Sequence, residues 1–327
     1  MSSPYDRLSP DIILGAAEAW GFRPTGELVQ LNSYENRVFD IRLERDAADP
    51  AAPSSVIAKF YRPGRWSTEA IQDEHEFLAE LAAEGVPAVA PLTHPRGGYT
   101  QKHGDFITAI FPKRAGRMPQ EFLEGELRAA GRLLARLHNV GARRPARHRV
   151  TMTAQNYGRV PLALLERYAP PAVWPRYREA AESILDFLEQ NMDPRSHIRI
   201  HGDCHKGNLL KDDRHDGVGF YFVDFDDFVN GPVVQDFWML LSGSVETDDE
   251  AAAELEELVA GYEELREAPP DFALIEPLRG LRIINYAGWI ASRWSDRFFP
   301  TLFPGFTGEA WWLDECLRLE QIAGRST

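Results

Sequence analysis

Apolar and polar positions alternate in short runs over the first third of the chain and recur at helical spacing beyond Pro119. Ser9 and Pro10 fit an N-cap and first helical turn, and the pattern behind them predicts a helix to about Trp20. Runs at Glu27–Leu31, Val38–Leu43 and Ser55–Tyr61 predict strands, with AADPAAPSS as the polar connection between the second and third. From Thr68 to Glu84, residues Ile71, His75, Leu78 and Leu81 return at helical spacing, and Gly85 with Pro87 stops the helix they predict. GDFITAI at 104–110 predicts one more buried strand, broken by Phe111, Pro112 and Lys113. Further on, helices are predicted at Glu121–Asn139, Trp174–Gln190, Asp249–Glu267, Ile275–Trp294 and from Gly308 onward. Strands are predicted there only at Ile198–Ile200, Leu209–Lys211 and Phe220–Val223. The pattern therefore predicts an α+β chain with a small strand-rich lobe, 1–111, and a larger mainly helical lobe, 112–327, joined by a hinge near Phe111–Gly116.

Composition narrows the class. The chain has 327 residues, 44% hydrophobic and 26% charged, enough for one large or two modest cores. Two cysteines, Cys204 and Cys316, are too few for a disulfide framework, and MSSPYDRLSPDI lacks a basic-then-apolar leader, so a cytoplasmic protein is expected. No run approaches the roughly 20 apolar residues of a membrane span. With 50 acidic and 36 basic residues the net charge is -14, and affinity for nucleic acid or a membrane surface is not expected.

The chemistry is concentrated at 201–208, HGDCHKGN. A closed zinc site would need four ligands, and the second cysteine is more than a hundred residues away. A nucleophilic Cys204 would need a base that orients it and a lowered pKa, which a neighbouring aspartate does not supply. The third reading pairs Asp203 with Asn208, five residues on, and with the carboxylates of VDFDD at 223–227. Such a loop can aim Asp203 at a substrate hydroxyl while Asn208 and Asp224 offer the hard oxygen ligands that magnesium prefers. The spacing equals that of the protein kinase catalytic loop H-R-D-x-x-x-x-N, followed one hairpin later by a metal-binding D-F-G.

At these residues the chain resembles the aminoglycoside phosphotransferase and choline kinase-like branch of the protein kinase superfamily, whose pattern is H-G-D-x-H-x-G-N followed by V/I-D-F/W-D/E. The resemblance implies a bilobal protein kinase-like fold, with a small antiparallel-sheet N-lobe and a larger mainly helical C-lobe, and ATP with Mg²⁺ as cofactors. A kinase also needs a lysine on the third strand and a glutamate on the next helix. VIAKF supplies Lys59, and in DEHEF, which holds Asp73, Glu74 and Glu76, Glu74 best fits the branch's E-x-x-F/L-x-x-x-L pattern through Phe77 and Leu81. The nucleotide-covering turn falls at LNSYENRV, which has no glycine; Ser33 and Asn36 can offer side-chain donors there, against the plainer reading of a hairpin turn.

LNSYENRV, KFYRPGRW, DEHEF, HGDCHKGNLL, VDFDDFVNGPVVQDFWMLL, IEPLRGLRIINYAGWIASRW and FPGFTGE together resemble the bacterial stress response kinase A family. The catalytic hairpin, KDDRHDGVG, is longer than expected for it. The resemblance implies Asp203 as the base or hydroxyl-positioning residue, Asp224 as a catalytic residue and metal ligand, and Asn208 as the second metal ligand. Asp226 is open between the metal shell and a solvated turn, and His205 between a contact to substrate or phosphate and none. His201 is expected to pack beneath the loop and hydrogen-bond the backbone near Asp224, against the alternative of a catalytic histidine; Asp236 is expected to cap the loop's N–H groups, and Cys204 to be a bystander. Twelve positions separate Asp224 from Asp236, and no A-P-E follows, so the usual activation segment is missing. The narrower resemblance implies a Ser/Thr protein kinase, able to autophosphorylate, acting in a stress response, and the lack of an extra association segment makes a monomer the expectation. A small hydroxyl acceptor is the alternative, and a pseudokinase is opposed by the intact Lys59, Asp203, Asn208 and Asp224.

Overall fold

The computed structural model describes residues 3–46, 48–49, 51–212 and 219–324. The extra length of KDDRHDGVG, at 213–218, lies outside the described residues. Contacts group the chain into two compact units. One is Pro4–Glu121 with Lys206–Asp226; the other is Phe122–His205 with Asp227–Thr327 and the N-terminal residues to Ser3.

The first unit is built on a five-stranded antiparallel sheet. Its strands are β1 (Pro24–Leu31), β2 (Arg37–Leu43), β3 (Ser55–Phe60), β4 (Gln101–His103) and β5 (Phe106–Pro112), in the order β1-β2-β3-β5-β4. Helix α1 (Pro10–Ala19) starts where Ser9 accepts a hydrogen bond from Ile12 N, and α2 (Thr68–Ala83) starts where Ser67 accepts from Ala70 N. Strand alternation decides which side of β3 each residue serves. Val56, Ala58 and Phe60 join Ile13, Ala16 and Ala17 of α1 in one core, while Tyr61 packs with Ile71 of α2 in another. Lys59 shares the parity of Tyr61 and is therefore turned toward α2. β4 was not predicted, and β5 runs on to Pro112, opposite Val56.

Lys206–Asp226 belongs to this unit because its hairpin, β7 (Leu209–Lys211) with β8 (Phe220–Phe222), is bonded into it. Phe222 N donates to Pro87 O at 2.8 Å, and Arg117 and Lys211 exchange backbone hydrogen bonds of 2.9 and 2.8 Å.

The second unit is mainly helical: α3 (Glu126–Gly141), α4 (Val160–Leu165, after a π-helical turn at Gln155–Arg159), α5 (Trp174–Asn191), α6 (Val234–Trp238), α7 (Asp249–Glu263), α8 (Ile275–Ser292), α9 (Phe299–Leu302) and α10 (Glu309–Ala323). A small sheet in it pairs β6 (Ile198–Ile200) with β9 (Val229–Gly231). Tyr177 of α5, Ile284 of α8 and Trp312 of α10 lie fully buried in its core. Helices α3 and α7 approach closely through a pair of glycines. A side chain at Gly131 would collide with Leu258 O, and one at Gly261 with Arg128 O. That approach seats Tyr262 OH 3.1 Å from His138 Nδ1. Among the described residues no helix is long and apolar enough to cross a membrane.

Candidate active site

In the sheet unit, the third-strand lysine meets its acids. Lys59 Nζ lies 3.4 Å from Glu74 Oε1, 3.4 Å from Asp224 Oδ1 and 3.2 Å from Asp226 Oδ1, and 4.8 Å above the Tyr61 ring. Of the three acids in DEHEF it is Glu74 that makes this contact, and the Tyr61 hydroxyl steadies it at 3.3 Å. Burial alone would favour neutral lysine. The carboxylates of Asp226 and Glu74, foremost among its neighbours, more than offset this and hold the Lys59 pKa well above its ordinary value. The ammonium is thus a fixed charge.

Asp224 is the one non-glycine residue with positive φ among those described, at 57°. Aspartate tolerates this left-handed geometry better than most residues, at a cost of about 1 kcal/mol. Its side chain is 55% exposed, whereas that of Asp226 is buried. Asn208, buried in a short 3-10 turn, accepts from Val223 N through its carbonyl at 3.0 Å. The hairpin register, Leu209 opposite Phe222, thereby carries Asn208 to the residue before Asp224.

The glycine-free turn is tied to the same cluster. Asn36 is buried, and its Oδ1 accepts from Arg62 N at 3.0 Å; Ser33 is partly exposed in the turn. Glu35 lies 3.5 Å from both Arg62 and Arg65, and Arg65 reaches on to Asp226 Oδ2. Glu35 and Arg65 lie in LNSYENRV and KFYRPGRW, but neither carries a signal of its own there that marks it as part of the site.

In the helical unit, HGDCH follows β6. Asp236 of α6 is fully buried, and its carboxylate accepts from His201 N and Gly202 N, each at 2.8 Å. It also meets His138 Nε2 at 3.2 Å. Gly202 has φ +81°, and a Cβ there would press on Asp227 O, so this bend requires glycine. The cap that the sequence suggested for Asp236 is therefore formed. Asp236→Asn puts an amide group where two N–H donors now share a carboxylate. A stability loss of about 2–3 kcal/mol is expected, measurable by urea unfolding, because each buried charge-assisted bond is worth about 1.5–3 kcal/mol.

His201 is fully buried, and its Nδ1 accepts from Asp203 N at 3.4 Å. Cys204 is also fully buried, and burial with the nearby Asp236 and Asp203 charges pushes its thiol pKa well up, which keeps it protonated. Asp203 Oδ1 is paired with Arg282 Nη2 at 2.7 Å, and Oδ2 lies 3.5 Å from His205 Nε2. Burial would raise its pKa, but Arg282 and His205 outweigh this and hold the carboxyl below the usual range. Arg282 was not anticipated. It lies in α8 with no catalytic-loop signature of its own, and only folding brings it to Asp203.

No three His, Cys, Asp or Glu side chains converge as a metal cage among the described residues. The oxygen donors of Asn208 and Asp224 instead suit magnesium, which keeps several waters and phosphate oxygens in its shell and needs few protein ligands.

A strand lysine held by a helix glutamate, beside a metal-suited Asp and Asn, on this fold, defines a kinase of the phosphotransferase class. Residues 27–272 match the model of the "Phosphotransferase enzyme family". Among solved structures, amicoumacin kinase in complex with AMP-PNP and Ca²⁺ superposes with a TM-score of 0.74 at 19% identity, covering 98% of this chain and 94% of that one. A microcompartment-associated aminopropanol kinase gives 0.71 at 21% identity, covering 95% and 97%. The chain belongs to the stress response kinase A family within that class. It is 36% identical over 313 residues to Stress response kinase A of Escherichia coli K12, covering 94% of this chain and 90% of the relative. The same identity and coverage hold, over 312 residues, for the serine/threonine protein kinase RdoA of Salmonella typhimurium.

Proposed function

We propose that this kinase transfers the terminal phosphoryl group of ATP, with magnesium, to Ser or Thr hydroxyls of proteins, its own chain included, in a cytoplasmic stress response. The observation that carries the ATP-site reading is the buried Lys59, fixed by Glu74 and Asp224 at 3.4 Å each. Lys59 would hold the α and β phosphates, with Glu74 keeping it extended. Asn208 and Asp224 would hold magnesium, which offsets charge on the phosphate oxygens when bound. Both carboxylate oxygens of Asp226 face cations, Lys59 and Arg65, which favours a role in positioning Lys59 over the metal shell. Ser33 and Asn36 would shape the turn over the nucleotide. Asp203, kept ionised, would orient the acceptor hydroxyl rather than strip its proton early, because the transition state of phosphoryl transfer is loose.

The protein acceptor is supported by the name of one relative, the serine/threonine protein kinase RdoA. A small hydroxyl acceptor is the second reading, favoured by the short run between Asp224 and Asp236 and by a fold shared with an aminopropanol kinase. Purified enzyme, labelled ATP and a cell lysate divided into protein and small-molecule fractions test the choice. Label is expected in protein. Label confined to small molecules overturns the protein kinase reading, and no transfer beyond that of an Asp203→Ala variant overturns the enzyme reading.

A further inference from the structure

Asp203 pairs with one arginine of a cationic and aromatic stripe on α8. Arg279, Arg282, Tyr286, Trp289 and Arg293 are spaced three or four apart, which puts them on one face of the helix. The Arg282 guanidinium, 2.7 Å from Asp203 Oδ1, also lies 5.9 Å over the Tyr286 ring. Tyr286 and Trp289 stack at 5.5 Å, and Arg293 covers Trp289 at 5.3 Å. Side-chain exposure is 32% for Arg282, and Tyr286 is 39% exposed. From Arg279 to Phe303 the chain carries four arginines and one carboxylate, that of the buried Asp296. In a chain of net charge -14 this is a local reversal of sign.

Two of those charges are already paired on the protein, Arg279 with Glu276 at 3.5 Å and Arg282 with Asp203, so the surface is moderately cationic. Its guanidinium forks suit carboxylates, and its ring faces suit flat or apolar side chains. An acceptor hydroxyl aligned on Asp203 brings its neighbours on the same molecule onto Arg282 and Tyr286. We propose that this face recognises the acceptor, and that it takes a Ser- or Thr-bearing protein segment with an acidic residue beside the target hydroxyl. The acidic side chain takes Arg282 over from Asp203. No covalent bond changes in that step; one ion pair replaces another, and Asp203 Oδ1 becomes free to accept the hydroxyl hydrogen. The acidic neighbour thus contributes to binding and unmasks the positioning carboxylate at once. Arg282 is a specificity-determining residue on this account, which rests on the protein kinase reading.

Steady-state kinetics of the full chain on three matched Ser peptides test it, with the residues flanking Ser acidic, neutral or basic. Wild type is expected to favour the acidic over the neutral peptide by about tenfold or more in kcat/KM, the scale of one charge-assisted contact. Arg282→Gln should bring that ratio to within about twofold, and Arg282→Lys should keep most of it. A merely structural role would slow all peptides alike and leave the ratio intact. Equal use of the three peptides by wild type, or a preference that survives in Arg282→Gln, overturns the inference while the protein kinase reading stands. Failure to label any peptide or lysate protein, with small molecules labelled, overturns both.

Discussion

Asp203→Asn is expected to lower turnover by about 10²–10⁴-fold, the usual contribution of a positioned acid–base group, with nucleotide affinity retained. The substitution keeps size and removes charge. The amide can no longer offer the acceptor hydroxyl an anionic oxygen, and Arg282, 2.7 Å away, loses its counter-charge. Loop geometry should survive, because the bonds that shape it run from His201 N and Gly202 N to Asp236, not to Asp203. Single-turnover transfer and equilibrium binding of MgATP, measured on the same variant, separate the two effects. A parallel loss of ATP affinity would show that Asp203 belongs to the nucleotide site.

Lys59→Met should damage both binding and stability. The lysine is buried and faces three carboxylates within 3.4 Å. Methionine fills similar volume but leaves Glu74 and Asp226 as buried acids short of a cation. Removing one partner of a buried ion cluster costs about 3–5 kcal/mol. Urea unfolding without nucleotide should register that loss, and MgATP binding should weaken together with it. Asp203→Asn, which breaks a more exposed pair, should shift unfolding by only about 1 kcal/mol. Unchanged stability in Lys59→Met would mean that Arg65 and Arg62 alone neutralise the acids.

Legibility in the sequence followed the range of the physics. Long amphipathic helices repeat a local signal many times, so Thr68–Ala83 and Trp174–Asn191 were read within a residue or two. Short elements repeat little: β6, β7 and β8, three residues each, are legible as apolar runs, whereas other short elements are not. Gln101–His103 and Val229–Gly231 are three residues each, and they are strands because β5 and β6 supply their hydrogen bonds. The five-residue helix α6 and the π-helical turn at Gln155–Arg159 were missed for the same reason. Lys59, Glu74, Asp203, Asn208 and Asp224 stood out because a phosphoryl-transfer site needs those residue types in that order along the chain. Asp226 gives no such signal, because only the fold sets its two oxygens against Lys59 and Arg65.

The strand parity of Lys59 and the helical spacing of Ile71, His75, Leu78 and Leu81 are local properties, written into the chain, and they already commit a lysine and a glutamate to facing surfaces. The hairpin register does the same for Asn208 and Asp224. Residues far apart in sequence carry no such signal. That Arg65 bridges Glu35 to Asp226, that Asp236 of α6 holds the loop after β6, and that Arg282 of α8 occupies Asp203 depend on how helices and loops pack. A guanidinium at the end of a long side chain acquires its partner only after the backbone has placed both.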